Sequence, residues 1–390
     1  MVKAFEFARS PKIIFGTGKI EELSPIVKSF GNDILLVTGK NSFLNSRHGE
    51  YLLHTFDLTG IRYHKFVVNS EPSPYMIDQA VIANRDNPIK CVVAIGGGSV
   101  IDAGKAISAM LYKKESITEY LEGVGNKEHP GTKVPVIAMP TTSGTGCETS
   151  KNAVISQIGI HGFKKSLRHD VLMPDYAIVD PELTLNCPPD VTAASGMDCF
   201  TQLVESYLSA KANPITDAMV LDALKYVKSS LIRSWKWGQD IEARTGMSYA
   251  AMISGIGLTN AGLGVVHGFA SSIGGLFIVP HGVVCGTLMA VSNKITVEKL
   301  RKNNDTSVAL NKYATLGKLF AETDDKSNDW YIDFFIDHLY ALSDQLNIKK
   351  LGKYGIEEKH FQGIIAKTDS KANPVKFSSE DFYKVLEERV

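Results

Sequence analysis

The hydrophobic pattern of this chain changes part-way along its length, and that change limits the folds open to it. In the first half, short β-rich runs alternate with helical stretches. Asp33–Thr38, Ile61–Val68, Cys91–Ile95 and Val134–Ala138 read as strands, while Ile20–Ser29, Pro74–Asn84 and Asp102–Tyr112 carry apolar residues at helical spacing. Near-continuous apolar strands separated by helices call for a parallel sheet covered on both faces. From Pro188 onward helical patterns dominate, as in Val191–Ala210, Pro214–Trp235 and Asp240–Gly255, and Pro188-Pro189-Asp190 reads as a helix start. The expected fold is an α/β parallel-sheet domain over residues 1–183 followed by an all-helical domain over 184–390, with the junction near Val179-Asp180-Pro181. No internal repeat or low-complexity linker separates them, so the halves should pack closely and place a ligand in the cleft between them.

Composition narrows the function. Of 390 residues, 44% are apolar and 22% charged, as in an ordinary globular chain. Lys+Arg and Asp+Glu both total 42, so the formal net charge is zero, which counts against a nucleic-acid binder and against an acidic disordered chain. The five cysteines (Cys91, Cys147, Cys187, Cys199, Cys285) are odd in number, widely spaced and without a CxxC pair. Neither a disulfide framework nor a thiolate zinc site is expected, and reduced thiols in a cytoplasmic protein are the simplest account. The start, MVKAFEFARSP, lacks a basic patch followed by an apolar stretch, so no secretory signal is expected. The apolar tract Ala250–Val291 is broken by Asn260, His267, Ser271, Ser272, Pro280 and His281, and reads as buried helices rather than a membrane span.

Ile95-Gly96-Gly97-Gly98-Ser99-Val100-Ile101-Asp102 follows a strand and opens a helix. Glycines let the backbone turn sharply and approach a ligand, and a helix N-terminus offers free N–H groups to a pyrophosphate. A plain strand–helix turn is the competing reading. A second cluster, Pro140-Thr141-Thr142-Ser143-Gly144-Thr145-Gly146-Cys147-Glu148, follows the next strand. Parallel strands direct both loops to one edge of the sheet, which favours a nucleotide site.

A candidate metal constellation lies in the second half. Asp198 and Gln202 are four apart, hence one turn apart on one helix face. His267 and His281 sit in strongly apolar surroundings, where an unpaired imidazole is costly. A lone buried histidine is more often a hydrogen-bonded core residue than a ligand; two of them with a carboxylate point to Fe²⁺ or Zn²⁺, with an oxygen from Gln202 and a position left for substrate. The other eight histidines (His48, His54, His64, His129, His161, His169, His338, His360) lie in mostly polar stretches and are expected at the surface.

Together these residues resemble the iron-containing (group III) alcohol dehydrogenase family. The resemblance runs from Ile14-Phe15-Gly16-Thr17-Gly18 to Asn373-Pro374-Val375 and rests on Gly96-Gly97-Gly98-Ser99 with Asp102 and Lys105, Pro140–Glu148, Pro174–Pro181, Gly196-Met197-Asp198, Ser254–His267 and Pro280-His281-Gly282. It implies an N-terminal dinucleotide-binding domain, a C-terminal helical metal domain and a metal in the cleft. It also implies NAD(H)- or NADP(H)-linked interconversion of alcohols and carbonyls, and a homodimer. Gly97, Gly98 and Ser99 would hold the pyrophosphate, Asp102, Thr141, Thr142 and Thr145 would line the rest of the cofactor site, and Asp198, His267 and His281 fall at ligand positions.

Three departures stand out. Gln202 replaces the fourth ligand, a histidine, and a neutral amide oxygen is a weaker ligand than imidazole. Ser271 stands where relatives often carry a second histidine, which removes a candidate proton relay and opens space for a diol, polyol or sugar-derived substrate. After the strand ending at Thr38, where NAD-preferring relatives often carry Asp, this chain has Gly39-Lys40-Asn41-Ser42; loss of that carboxylate beside a cation admits NADP(H), while NAD(H) stays open if Gly39 only forms a turn. In the expected mechanism the metal binds the substrate oxygen while hydride passes between nicotinamide C4 and the carbinol carbon, with a ribose hydroxyl, a water chain, Lys164 or Lys165 delivering the proton. Two alternatives remain: a cyclase or polyol-phosphate dehydrogenase of the dehydroquinate-synthase-like fold, for which Lys164, Lys165 and Arg168 would grip phosphate, and a non-catalytic nucleotide-binding relative without metal.

Overall fold

The computed structural model describes residues 4–303 and 308–390. Strands β1 (Lys12–Phe15), β2 (Asp33–Gly39), β3 (Arg62–Val68), β4 (Cys91–Gly96) and β5 (Val136–Pro140) are followed by β6 (Asn152–Gln157), β7 (Phe163–Arg168) and β8 (Tyr176–Val179). Six of them form a parallel sheet in the order β1-β8-β5-β4-β2-β3, and β6 and β7 pair separately as an antiparallel hairpin. Helices α1 (Leu23–Phe30), α2 (Arg47–Thr59), α3 (Pro74–Asn84) and α4 (Gly98–Met110) connect the strands. The central strand β4 is buried at every position, as its unbroken apolar run demands of a strand covered on both faces. The edge strand β3 alternates instead, and its exposed Arg62 pairs with Asp33 at 2.6 Å. From β2 the chain moves outward to β3 and then returns to add β4 on the other side of β2. The crevice beyond the carboxyl ends of β2 and β4 is therefore the topological switch point of the sheet, where such folds take ligands.

The second half holds α5 (Pro189–Leu208), α6 (Pro214–Lys236), α7 (Ile241–Ala261), α8 (Val265–Leu276) and α9 (His281–Lys302), then α10 (Val308–Phe320), α11 (Asn328–Gln345), α12 (Phe361–Lys367) and α13 (Ser379–Arg389). Every residue of α5 from Gly196 to Leu208 is buried, the mark of a helix enclosed on all sides. It packs among α6, α7 and α9. Helices α7 and α8 meet at 98°, and no single described helix is long and apolar enough to cross a membrane. Thr149 Oγ1 donates to the Met252 carbonyl at 2.7 Å, tying the loop after β5 to α7 and closing the two halves around a cleft.

The sequence pattern does not disclose β1, α2, β8 or the β6–β7 hairpin. β1 and β8 have only four residues each, and the hairpin carries polar residues such as Asn152, Lys164 and Lys165 within its strands. Helix α4 begins at Gly98, before the expected Asp102, because Gly97 serves as its N-cap. One expectation is corrected: His129 is buried rather than at the surface. Its Nε2 lies 3.1 Å from the Ala109 carbonyl, and its ring packs against Tyr120 and His169, which together satisfy it in the core.

Candidate active site

The nucleotide side of the cleft is made largely of backbone. The first turn of α4 leaves N–H groups without helical partners, and no side chain caps them. A Cβ on Gly98 would lie 2.7 Å from Thr145 Oγ1, so glycine there is what lets the α4 terminus abut the Thr145 loop. At Gly97 the nearest atom to such a Cβ is Thr142 Oγ1 at 3.5 Å, so packing does not demand glycine and the space stays free for a ligand. Thr141 and Thr142 line a cavity of about 230 Å³ with Ser42, Phe43, Glu182 and Leu183. Gly98, Ser99, Asp102 and Thr145 line a second cavity of about 210 Å³ that reaches Gln202, His267 and His281. Gly39 ends β2 and the exposed Lys40 follows it; a Cβ on Gly39 would stand 3.9 Å from Oγ of Ser42, which lines the first cavity. Asp102 is buried, with Lys105 Nζ 3.6 Å from its Oδ1, and burial still raises its pKa. Lys105 also donates to the Cys147 carbonyl at 2.8 Å and to Ser150, so its ammonium braces the loop that carries Thr145.

The metal side is made of side chains. Asp198 Oδ1 on α5 faces His267 Nε2 of α8 at 3.3 Å and His281 Nε2 at the start of α9 at 3.5 Å. Cys285, one turn along α9 from His281, brings its Sγ to 3.7 Å from His267 Nε2 and 3.8 Å from His281 Nε2. One donor atom from each of the four lies within 4.8 Å of the others. Burial works against the Asp198 carboxylate, yet the two imidazoles hold its pKa below the ordinary value, so it is an anion. Burial lowers His281 to about 4, leaving the neutral imidazole a metal requires. Burial also disfavours a charged His267, but Cys285, Glu205 and Asp198 outweigh it and raise its pKa.

These residues fit a divalent cation. Asp198 Oδ1 is buried without a hydrogen-bond partner, and so is Gln202 Oε1 one turn further along α5. Leaving a buried carboxylate oxygen unpaired costs several kcal/mol on the order-of-magnitude scale for buried charges, and coordination relieves that cost. The sequence reading grouped Asp198, His267 and His281, which lie near one another in space, with Gln202, a wall of the same cavity. It missed two residues. Cys285 lay in the sequence as the residue four after His281, on the same face of one helix, and was set aside because no CxxC accompanied it. Glu205 lies seven after Asp198 on α5; its Oε2 is 2.6 Å from His267 Nδ1 and its Oε1 accepts the Val266 N–H at 2.7 Å. That carboxylate fixes the imidazole so that Nε2 points at Asp198, the usual outer support of a metal-binding histidine.

A dinucleotide crevice opening onto such a donor set defines a nicotinamide-linked, metal-dependent oxidoreductase. Residues 10–181 match the model of the iron-containing alcohol dehydrogenases and residues 192–390 that of the C-terminal domain of the Fe-containing alcohol dehydrogenase family. The chain belongs to the iron-containing alcohol dehydrogenase family, and it is an NAD(P)-linked, metal-dependent alcohol dehydrogenase. Long-chain-alcohol dehydrogenase 1 of Geobacillus thermodenitrificans is 33% identical over 268 residues, 68% of this chain and 67% of that protein. The alcohol dehydrogenase from Oenococcus oeni superposes with a TM-score of 0.87 at 28% identity, over 99% of this chain and 100% of the other. Sulfoacetaldehyde reductase from Bifidobacterium kashiwanohense, solved in complex with NAD⁺, gives 0.84 at 25% identity over 99% of each chain.

Proposed function

We propose that Asp198, His267 and His281 hold the catalytic cation, with Gln202 and Cys285 completing its surroundings. The same reading has Gly97, Gly98 and Ser99 receive the cofactor pyrophosphate. The observation that carries this is the orphaned Asp198 oxygen facing two imidazoles at the end of the cavity that begins at Gly98. When bound, the nicotinamide supplies the hydride chemistry and the cation polarises the substrate oxygen. The chain's own residues do the rest. Asp198 supplies the anionic charge and Glu205 sets the tautomer of His267. Gln202 offers an amide to orient the substrate oxygen, and the walls from α5, α8 and the β6–β7 hairpin keep bulk water from the reacting atoms. Lys164 is committed to Glu71, 2.7 Å from its Oε1, so it positions the hairpin and is a poor proton donor.

We assign NADP(H) as the preferred cofactor, because Gly39 presents no carboxylate to a 2′-phosphate and Lys40 adds a cation beside it. The substrate is a small polar alcohol or its aldehyde, in keeping with the polar side chains Gln202, Ser271 and Lys371 that line the cavity beside the histidines; the names of the relatives, from long-chain alcohols to a sulfonated aldehyde, leave its identity to this chain's own residues. The same reading is of a cytoplasmic homodimer acting on small molecules, without nucleic-acid or membrane partners; five free cysteines suit the cytoplasm and a zero net charge counts against nucleic acid, and light scattering of the purified protein reads the dimer. The decisive test is His267→Ala: bound metal and alcohol oxidation should be lost together, and retention of both would overturn the assignment.

A further inference from the structure

The cavity that contains His267 and His281 is also lined by three cations, Lys164, Arg168 and Lys371. Two are already neutralised. Lys164 is paired with Glu71, and Arg168 Nε donates to Glu122 Oε1 at 2.8 Å. Lys371 differs. Its Nζ donates to Ser271 Oγ at 3.3 Å, and among the described residues no carboxylate oxygen lies within 4.0 Å of it. The nearby Asp369 is occupied with the backbone, its Oδ1 accepting the Lys371 N–H at 2.8 Å. Lys371 is exposed at the edge of the cleft, and crowding there, with Arg168 and Lys165 nearby, lowers its pKa against the carboxylates of Asp369 and Glu205. The loop holds Lys371 at φ 44°, a left-handed conformation that is uncommon outside glycine.

Ser271 ties this ammonium to the metal side. It lies one turn beyond His267 on α8, and its hydroxyl donates to the His267 carbonyl at 2.9 Å. A cation without a carboxylate partner among the described residues thus lines the same cavity as His267, linked to it through Ser271.

We propose that the physiological substrate is an aldehyde or alcohol with an anionic head group, a carboxylate, sulfonate or phosphate, at the far end of a short chain, and that Lys371 with Ser271 binds that head group. The proposal rests on the dehydrogenase reading above and narrows it. The head group takes up the ammonium hydrogens that no acid among the described residues uses, while the carbonyl end reaches Gln202 and the histidines.

Matched pairs of aldehydes test this with the metal-loaded enzyme and NADPH or NADH: butanal against 4-oxobutanoate, propanal against 2-oxoethanesulfonate, and butanal against a phosphate ester of 3-hydroxypropanal. Wild type should favour at least one anion over its neutral partner by about 10-fold or more in kcat/KM, and the three arms show which head group fits. Lys371→Gln should lower that preference by about 10- to 100-fold, the size of one charge-assisted hydrogen bond, mainly through KM. Lys371→Gly should do the same with a loop free of strain at φ 44°, which separates loss of charge from misfolding. A neutral preference in wild type, or an unchanged ratio in both variants, would overturn the proposal while leaving the dehydrogenase reading intact. Failure to turn over any of the aldehydes would sink both.

Discussion

The two ends of the cleft are built from different materials. At the nucleotide end the ligand-facing groups are backbone N–H groups and small side chains at the tips of β4 and β5, close together in sequence and set in place by one sheet. At the metal end they are side chains from α5, α8 and α9, with Asp198 and His281 more than eighty residues apart, and no local motif announces them. A backbone-built site is broken by adding atoms, and a side-chain-built site by removing them.

The largest effect is expected at the metal end. Glu205→Gln, which leaves the donor set intact but weakens the support of His267, should cut metal affinity about 10- to 100-fold, as read by competition with a chromophoric chelator; an unchanged affinity would show that Glu205 has no bearing on the site. At the nucleotide end, Gly98→Ala drives a methyl against Thr145. Cofactor KM should rise by about 10-fold, an estimate from the 1–3 kcal/mol cost of overpacking, and Thr145→Ala in the same chain should recover part of it. Independent, additive effects would contradict the packing argument. Gly39→Asp meets only ordinary contacts, the nearest atoms standing 3.9 Å from its Cβ. It should shift the NADP(H)/NAD(H) preference about 10-fold toward NAD(H), roughly one 1.4 kcal/mol step, without changing Tm; no shift would remove the case for NADP(H).

The smallest effect concerns the junction. Glu148 is buried beside the loop that Thr149 ties to α7, and burial pushes its pKa from 4.5 up to about 7. The unfolded chain therefore releases this proton first, and stability should fall as pH rises from 4.5 to about 7. Glu148→Gln should flatten that slope and stabilise the protein above pH 7, by up to about 3 kcal/mol. Denaturant midpoints taken across this range would show it, and a parallel pair of curves would deny it.

The same contrast explains what was legible in the sequence. Strands β2 to β5 and the glycine turn declare themselves because their signals are local: an apolar run, then Gly96-Gly97-Gly98. Asp198, His267 and His281 are readable as a carboxylate and two imidazoles in apolar surroundings, a set that suits a divalent cation, and the family resemblance adds that they fall at ligand positions. Cys285 and Glu205 are not readable, because a thiol among Val283, Val284 and Leu288 looks like core, and a glutamate on a long helix looks like surface until the helix is seen to be enclosed. Lys371 follows the same rule, since only the folded chain shows that its ammonium reaches Ser271 with no acid to pair with among the described residues.

One divalent cation is proposed to sit among Asp198, His267 and His281 at the end of the cofactor cleft. Anomalous diffraction from crystals of metal-loaded protein, recorded at the iron and zinc absorption edges, tests it directly. A single strong peak is expected within bonding distance of Asp198 Oδ1 and of Nε2 of both histidines. Loaded crystals whose only metal peaks lie elsewhere, with these three side chains packed against one another, would contradict it.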